Sequence, residues 1–330
     1  MKKTYWLLLA CCLLFFSCKK KEVHQFGGEV FGTYFSISYI GEENPGLPKQ
    51  VDSILQNINK LYSIFESTSL VSKLNRNEPV VPTAAFAAMV RDALEISRNT
   101  GGAFDVTVGP LVNLWGFGNE KGDTVTQDAI DSVRQFVGYT KIHVGDDGVI
   151  TKDDERIKLD FNAIAKGKAV DDVAEFLVGS GYVNCLVNIG GEVRCEGTKP
   201  GGKAWRVGIQ IPTETRDGLE EADYIFEMTG RAVATSGNYR NYKEIDGQRY
   251  CHITDPRSGD SRSSNLLSVT VIADQCAVAD AYATAFMVMG VKEAMEFLKS
   301  RPELAAHFVY YEDGGYKYVQ SGNFPKSCMK

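Results

Sequence analysis

Apolar residues recur at helical spacing along several stretches of the chain. Between residues 51 and 65 they form one stripe, which predicts an amphipathic helix: Val51, Ile54, Leu55, Ile58, Leu61 and Phe65. The same spacing predicts further helices over residues 83–100, 127–137, 163–177, 277–289 and 292–300. Most of the chain's helical content is therefore expected to pack one apolar face against a shared core.

Other stretches alternate apolar and polar residues, as strands do. Residues 29–40 alternate throughout and predict one strand. Shorter strands are predicted over residues 183–189, 192–196, 205–211, 224–228, 232–235, 268–272 and 307–311. Many of these strands follow one another through short turns, which favours a mixed, largely antiparallel sheet over a doubly wound fold. The sequence predicts an α+β fold with flanking helices, in a single domain over residues 28–325.

The amino terminus is typical of a targeting segment. Two lysines precede an apolar run over residues 5–16, which is short for a membrane-spanning helix. Cys18 follows in the position of the lipidated cysteine of a bacterial lipoprotein. We predict a signal peptide over residues 1–17, a lipidated tether over residues 18–27, and a lipid anchor that holds the protein on the periplasmic side of the cell membrane. A signal peptide cleaved elsewhere is the alternative.

Charge and cysteine content exclude some functions. The 330-residue chain has a formal net charge of -6 at pH 7, so it lacks the basic surface that nucleic-acid binding requires. Five of the eight cysteines follow Cys18, without a CxxC spacing, and no zinc site is indicated. Cys185 and Cys195 flank a predicted hairpin, where they would form a disulfide in an oxidising compartment or remain as two small buried thiols.

Charged residues interrupt three otherwise apolar segments, residues 104–118, 159–172 and 279–290. Because an unpaired buried charge costs several kcal/mol, the three interruptions indicate one shared polar site. Asp280 and Thr284 are one helical turn apart, so their oxygens lie on one side of a helix, and a carboxylate and a hydroxyl suit Mg²⁺ with water or phosphate in the remaining positions. Alternatively, Asp280 interacts with the helix dipole and Thr284 bonds back to a backbone carbonyl.

Lys166 falls in the first turn of a predicted helix, where the helix dipole disfavours a cation unless an anion is bound nearby. We interpret it as a phosphate contact; a surface salt bridge with Asp160 is the alternative. Gly190 and Gly191 permit either a tight turn or a close approach of the backbone to a ligand. His252 is a candidate general base, with a structural role as the alternative.

Seven segments of the chain occur together, in the same order, in one known family. They are FGTYFSI, GGAFDVTVGPLVNLWGFG, LDFNAIAKGKAVD, LVNIGGEVR, ATSGNYRNY, RYCHITDPRSG and ADAYATA. Over nearly all of residues 28–320 the chain therefore resembles the ApbE family, the bacterial FAD:protein FMN transferases.

The resemblance implies an activity. Such an enzyme binds FAD, cleaves its pyrophosphate with Mg²⁺, attaches FMN to a threonine hydroxyl of an acceptor protein and releases AMP. The implied acceptors are flavin-bearing subunits of Nqr-type and Rnf-type redox complexes and related extracytoplasmic electron carriers. Two alternatives stay open: an FAD pyrophosphatase that yields FMN and AMP, and a non-catalytic FAD-binding lipoprotein.

The resemblance also implies roles for individual residues. The metal ligands correspond to Asp280, Thr284 and the backbone oxygen of Ala163. The catalytic residues correspond to Asp280, Lys166 and His252, of which His252 is the base for the acceptor hydroxyl. The FAD contacts correspond to Phe31, Ala103, Phe104, Asp105, Asp160, Lys166, His252 and Ile253. The chain departs from the family pattern at Phe31, usually methionine, and at Ala283, where some members have a second metal-site aspartate.

Overall fold

The computed structural model describes residues 22–120, 124–210, 224–238, 242–245, 248–262 and 264–328. The predicted signal peptide and Cys18 lie outside these ranges. Within them, none of the helices combines the length and the apolar character that a membrane span needs.

Each predicted helix and strand has a counterpart in the structure, which contains further short helices and strands between them. The helices are α1 (Leu47–Tyr62), α2 (Leu70–Asn75), α3 (Ala84–Asn99), α4 (Gly109–Leu114), α5 (Gln127–Arg134), α6 (Ala165–Gly179) and α7 (Cys276–Leu298). The strands are β1 (Val23–Val30), β2 (Thr33–Ile40), β3 (Ile142–Val144), β4 (Ile150–Lys152), β5 (Cys185–Ile189), β6 (Glu192–Glu196), β7 (Trp205–Ile209), β8 (Tyr224–Met228), β9 (Arg231–Gly237), β10 (Tyr242–Ile245), β11 (Gln248–Cys251), β12 (Leu266–Ala273), β13 (Ala305–Glu312) and β14 (Gly315–Gln320).

One eight-stranded sheet organises the fold. Its strand order is β1-β2-β5-β6-β9-β12-β13-β14, and each neighbouring pair is antiparallel. Three hairpins, β3–β4, β7–β8 and β10–β11, form separate two-stranded sheets. The predicted α+β class with largely antiparallel strands is confirmed.

The strand predicted over residues 29–40 is wrong, because two strands occupy this region. β1 and β2 form a hairpin whose turn residues, Phe31 and Gly32, have φ values of 53° and 71°. Two successive positive φ values are typical of the tight turns that match strand twist. Residues 23–27, which we assigned to the tether, belong to β1 and pair with β2. Alternation of apolar and polar residues continues through the turn, so periodicity alone does not reveal it.

The large sheet separates two apolar clusters. The main core lies between the sheet and helices α1, α3, α6 and α7, whereas a smaller cluster lies between the opposite face and the β7–β8 hairpin. Cys185 belongs to the first cluster and Cys195 to the second. Cys185 pairs with Glu196, and Leu186 pairs with Cys195, so the two thiols point to opposite faces. Both are free and buried, so of the two possibilities that the sequence left open the structure has the two buried thiols and not the disulfide.

Helices α6 and α7 begin side by side and cap each other. Asp171, on α6, accepts hydrogen bonds from the backbone N–H groups of Cys276 and Ala277, both at 2.9 Å. Asp280, on α7, accepts a hydrogen bond from the backbone N–H of Gly167 at 3.0 Å. Neither helix has a side-chain cap from its own N-cap residue. The two carboxylates therefore satisfy backbone donors that would otherwise be buried without a partner.

Close contact between these helices requires glycine at position 167. A Cβ atom on Gly167 would lie 2.4 Å from the carbonyl oxygen of Cys276. At Gly179, the other end of α6, a Cβ atom would have no heavy atom of the described residues within 4 Å. The steric demand on α6 is thus confined to its first turn.

We expect Gly167→Ala to lower the free energy of unfolding by about 1–3 kcal/mol, because the added methyl group overlaps backbone that cannot move aside. Gly179→Ala is the matched control, and we expect it to be neutral or to stabilise by up to about 1 kcal/mol. Urea denaturation of both variants measures the difference. Equal stability of the two variants would contradict the close contact between α6 and α7.

Candidate functional site

A cleft of about 450 Å³ opens where α6 and α7 begin. Most of the predicted site residues line it: Phe104, Asp105, Asp160, Ala163, Lys166, His252, Ile253, Asp280 and Thr284. Two do not. Ala103 is buried beside Phe104, and Phe31 packs against the main core from the β1–β2 turn. The structure thus brings nine predicted residues from four separate sequence segments to one cleft, while their chemical roles stay predictions.

Lys166 forms an ion pair with Glu192, so the alternative of a surface salt bridge with Asp160 is wrong. Glu192 begins β6 and its side chain is only 2% exposed, whereas that of Lys166 is 36% exposed. The second carboxylate oxygen of Glu192, Oε2, is buried and has no hydrogen-bond partner among the described residues. Asp160 instead accepts a hydrogen bond from the backbone N–H of Asn162 at 2.8 Å.

Two buried carboxylates share this one lysine. Burial raises the pKa of Glu192 to about 7, although the neighbouring ammonium of Lys166 opposes the change. Burial likewise raises the pKa of Asp280, against the opposing effects of Lys166 and the Gly167 N–H. For Lys166, burial disfavours the charge, but Glu192 and Asp280 outweigh it and raise its pKa. The base of the cleft therefore carries more acidic than basic groups and would be stabilised by a cation.

The oxygen atoms in the cleft fit Mg²⁺. Asp280 is 3% exposed and lines the cleft together with Thr284 and Ala163. The hydroxyl Oγ1 of Thr284 lies 2.9 Å from Oγ of Ser236, so Thr284 hydrogen-bonds to another hydroxyl as well as facing the cleft. Carboxylate, hydroxyl and carbonyl oxygens are the hard donors that Mg²⁺ prefers. Within the described ranges no three His, Cys, Asp or Glu residues are clustered to hold a metal. Such an ion would be held by Asp280, the Thr284 hydroxyl and the Ala163 carbonyl, with water or phosphate oxygens in the other positions.

Asp105 holds the loop before α4 in place. One of its carboxylate oxygens accepts hydrogen bonds from the backbone N–H and the hydroxyl of Thr107, at 2.8 and 2.7 Å. The other accepts a hydrogen bond from the backbone N–H of Tyr139 at 2.7 Å. These three bonds fix the position of Phe104 in the wall of the cleft, so the clearest contribution of Asp105 is structural.

Sequence reasoning missed several residues of the cleft, among them Phe65, Glu192 and Ser236. Phe65 was assigned to the apolar stripe of the first helix, but α1 ends at Tyr62 and the Phe65 side chain is 67% exposed. Glu192 carried little signal, since it is in phase with Arg194 and Glu196 at the polar positions of an alternating strand. Ser236 carried no signal that distinguishes it from any strand serine.

Comparison with known proteins identifies the family of the chain. The model of the ApbE family matches residues 31–308 of the chain. The chain belongs to the ApbE family. The resemblance drawn from the seven sequence segments is therefore confirmed.

Relatives of known name match the chain over most of their length. FAD:protein FMN transferase of Vibrio cholerae serotype O1 is 36% identical over 339 residues, covering 98% of this chain and 99% of that protein. The enzyme of the same name from Escherichia coli K12 is 33% identical, covering 96% and 95%. The solved structure of flavin transferase ApbE from Vibrio cholerae superposes with a TM-score of 0.81 at 33% identity, covering 92% of this chain and 98% of that chain.

Asp160 makes stability depend on pH. Burial raises its pKa from 3.8 to about 6, so the folded state holds this proton more tightly than the unfolded state does. As pH rises from 4 to 6 the unfolded chain ionises first, and stability falls by up to about 3 kcal/mol. Asp160→Asn removes the titrating group and can still accept the hydrogen bond from Asn162. We expect the variant to gain stability relative to the parent over this range in denaturation curves, and parallel pH profiles would contradict the assignment.

Proposed function

We propose that this protein transfers FMN from FAD to a threonine hydroxyl of an acceptor protein, with Mg²⁺, and releases AMP. One observation carries the proposal: hard oxygen donors, a lysine and a histidine meet in one cleft of a chain whose relatives are named FAD:protein FMN transferases. The oxygen donors can bind a divalent cation, the lysine can bind a diphosphate, and the histidine can act as a proton acceptor.

The apolar wall of the cleft suits an aromatic ring. Phe104, Val108, Val112 and Phe117 supply apolar lining, together with the exposed side chain of Phe65. Lys166 and Asp280 supply charged lining. A ligand with a ring system attached to a diphosphate, as in FAD, matches this division into apolar and charged surfaces.

Lys166 and the metal ligands act on the diphosphate. The ammonium of Lys166 is held by Glu192 within reach of the cleft and neutralises part of the phosphate charge. Asp280, Thr284 and the backbone oxygen of Ala163 would hold Mg²⁺, which polarises a phosphoryl oxygen and offsets negative charge that develops in the transition state.

His252 acts on the acceptor protein as a general base. It is half-buried and lines the cleft together with Ile253 and Thr254. A ring nitrogen of His252 takes the proton of the threonine hydroxyl while the hydroxyl oxygen bonds to the FMN phosphorus. The bond from that phosphorus to the bridging oxygen breaks, and AMP leaves with the bridging oxygen. Proton transfer of this kind typically contributes about 10²–10⁴-fold to the rate.

The acceptor and the location belong to the same proposal. Flavin-bearing subunits of Nqr-type and Rnf-type complexes supply the class of acceptor, and a lipid on Cys18 would hold the enzyme on the periplasmic side of the membrane beside them. The sequence pattern before Cys18 supports the anchor, which the mass of the mature amino terminus would test.

Incubation of the protein with FAD, Mg²⁺ and an acceptor domain tests the activity. We expect the acceptor to gain the mass of one FMN less one water, with AMP released in equal amount. Asp280→Asn should slow this reaction by on the order of 100-fold or more, because loss of the carboxylate removes a metal ligand. Mass spectrometry and nucleotide analysis measure both products.

The same assay separates the alternatives. FMN and AMP formed equally fast without an acceptor would identify an FAD pyrophosphatase. FAD that binds but stays intact for hours in Mg²⁺ would identify a binding protein. Full activity of Asp280→Asn at ordinary Mg²⁺ concentration would overturn the metal assignment.

We expect His252→Ala to lower the transfer rate by about 10²–10⁴-fold while FAD affinity changes much less, because the base acts on the acceptor. His143→Ala is the matched control, since His143 lies on β3 at the surface, paired with Asp153 at 2.8 Å. Single-turnover rates and FAD titrations give the two quantities. Equal losses of rate and affinity at His252 would make it a binding residue.

A further inference from the structure

We infer that Asp171 is a positioning residue: it lies outside the cleft but fixes the position of Asp280 within the cleft. The inference rests on the proposed function in one respect, namely that Asp280 is a ligand of the divalent cation. It concerns a hydrogen-bonded junction between two helices, and the path from Asp171 to Asp280 has three steps.

In the first step, Asp171 binds the start of α7. Each of its carboxylate oxygens accepts a hydrogen bond from one backbone N–H at the start of α7, on Cys276 and on Ala277, both at 2.9 Å. The carboxylate is only 4% exposed. Because α7 has no side-chain cap of its own, Asp171 fixes where the helix starts and in which direction it runs.

The second step is the fixing of Asp171 itself. Arg194, on β6, donates a hydrogen bond to the carboxylate at 2.8 Å, and a further one to Glu196 at 2.8 Å. The Arg194 side chain is largely buried. Asp171 is therefore tied to the central sheet, and through it α7 is tied to the strand that also carries Glu192.

The third step leads from α7 back to α6. Asp280 lies one helical turn after Cys276 and accepts the N–H of Gly167 at 3.0 Å. Gly167 directly follows Lys166, and its missing side chain lets the two helices touch. If the start of α7 shifts, Asp280 therefore changes its position relative to all three of Gly167, Lys166 and Ala163. Partners of metal ligands that act in this way typically change metal affinity by 10–100-fold when they are altered.

Asp171→Asn is the direct test. Asparagine keeps the shape but has one acceptor oxygen. With that oxygen on the donors of Cys276 and Arg194, which share Oδ1, its NH₂ group faces the backbone N–H of Ala277, and that bond to α7 is lost. We expect weaker binding of Mg²⁺ by roughly 10–100-fold in calorimetry. We also expect hydrogen exchange at the Gly167 amide to accelerate roughly 5- to 10-fold, as loss of one hydrogen bond implies. Arg194→Gln, a milder change, should shift both quantities in the same direction by less.

Thr83→Ala controls for stability. Thr83 caps α3 by accepting the N–H of Phe86 at 3.1 Å and does not line the cleft. This variant should lower the melting temperature while Mg²⁺ affinity and Gly167 exchange stay at parent values.

The two readouts distinguish two kinds of failure. Unchanged Gly167 exchange in both Asp171→Asn and Arg194→Gln would overturn the inference, as would unchanged Mg²⁺ affinity in a parent protein that binds the ion. Absence of Mg²⁺ binding by the parent would overturn the metal assignment in the proposed function, while Gly167 exchange would still decide whether Asp171 positions Asp280.

Discussion

The mutual capping of α6 and α7 is the interaction on which the rest of the structure depends. Each helix starts in the protein interior without a cap of its own, so its first N–H groups need an acceptor. Asp171 and Asp280 supply that acceptor across the junction. A buried carboxylate is costly alone, but here the negative charge faces the positive end of a helix dipole, which offsets part of the cost.

The same junction explains why reactive groups are concentrated at this place. Asp280 uses one oxygen for the cap and borders the cleft, while Lys166 lies one residue before the N–H that Asp280 binds. Glu192 holds the ammonium from the neighbouring strand β6. The same side chains therefore hold the helices together and line the cleft. Because acidic groups outnumber basic ones among them, a divalent cation suits the cleft.

The sequence was sufficient where local pattern decides the structure. β6 and β8 have the predicted bounds, because alternate residues of these strands face a core. The sequence was insufficient where the structure depends on contacts between residues that are far apart in the chain. Lys166 and Glu192 are separated by 26 positions, so their pairing depends on how α6 packs on the sheet. The charged interruptions predicted that the segments of Asp160 and Asp280 share one site, whereas only the family resemblance joined His252 to them.

The two capping interactions also share the same spacing along the sequence. Gly167 offers its N–H four positions before Asp171, and Cys276 offers its own four positions before Asp280. Insertion or deletion of one residue between either pair would rotate a carboxylate by about 100° around its helix and disrupt both ends of the junction together. These two short segments are thus the places where length variation is least tolerable, whatever substitutions the neighbouring positions accept.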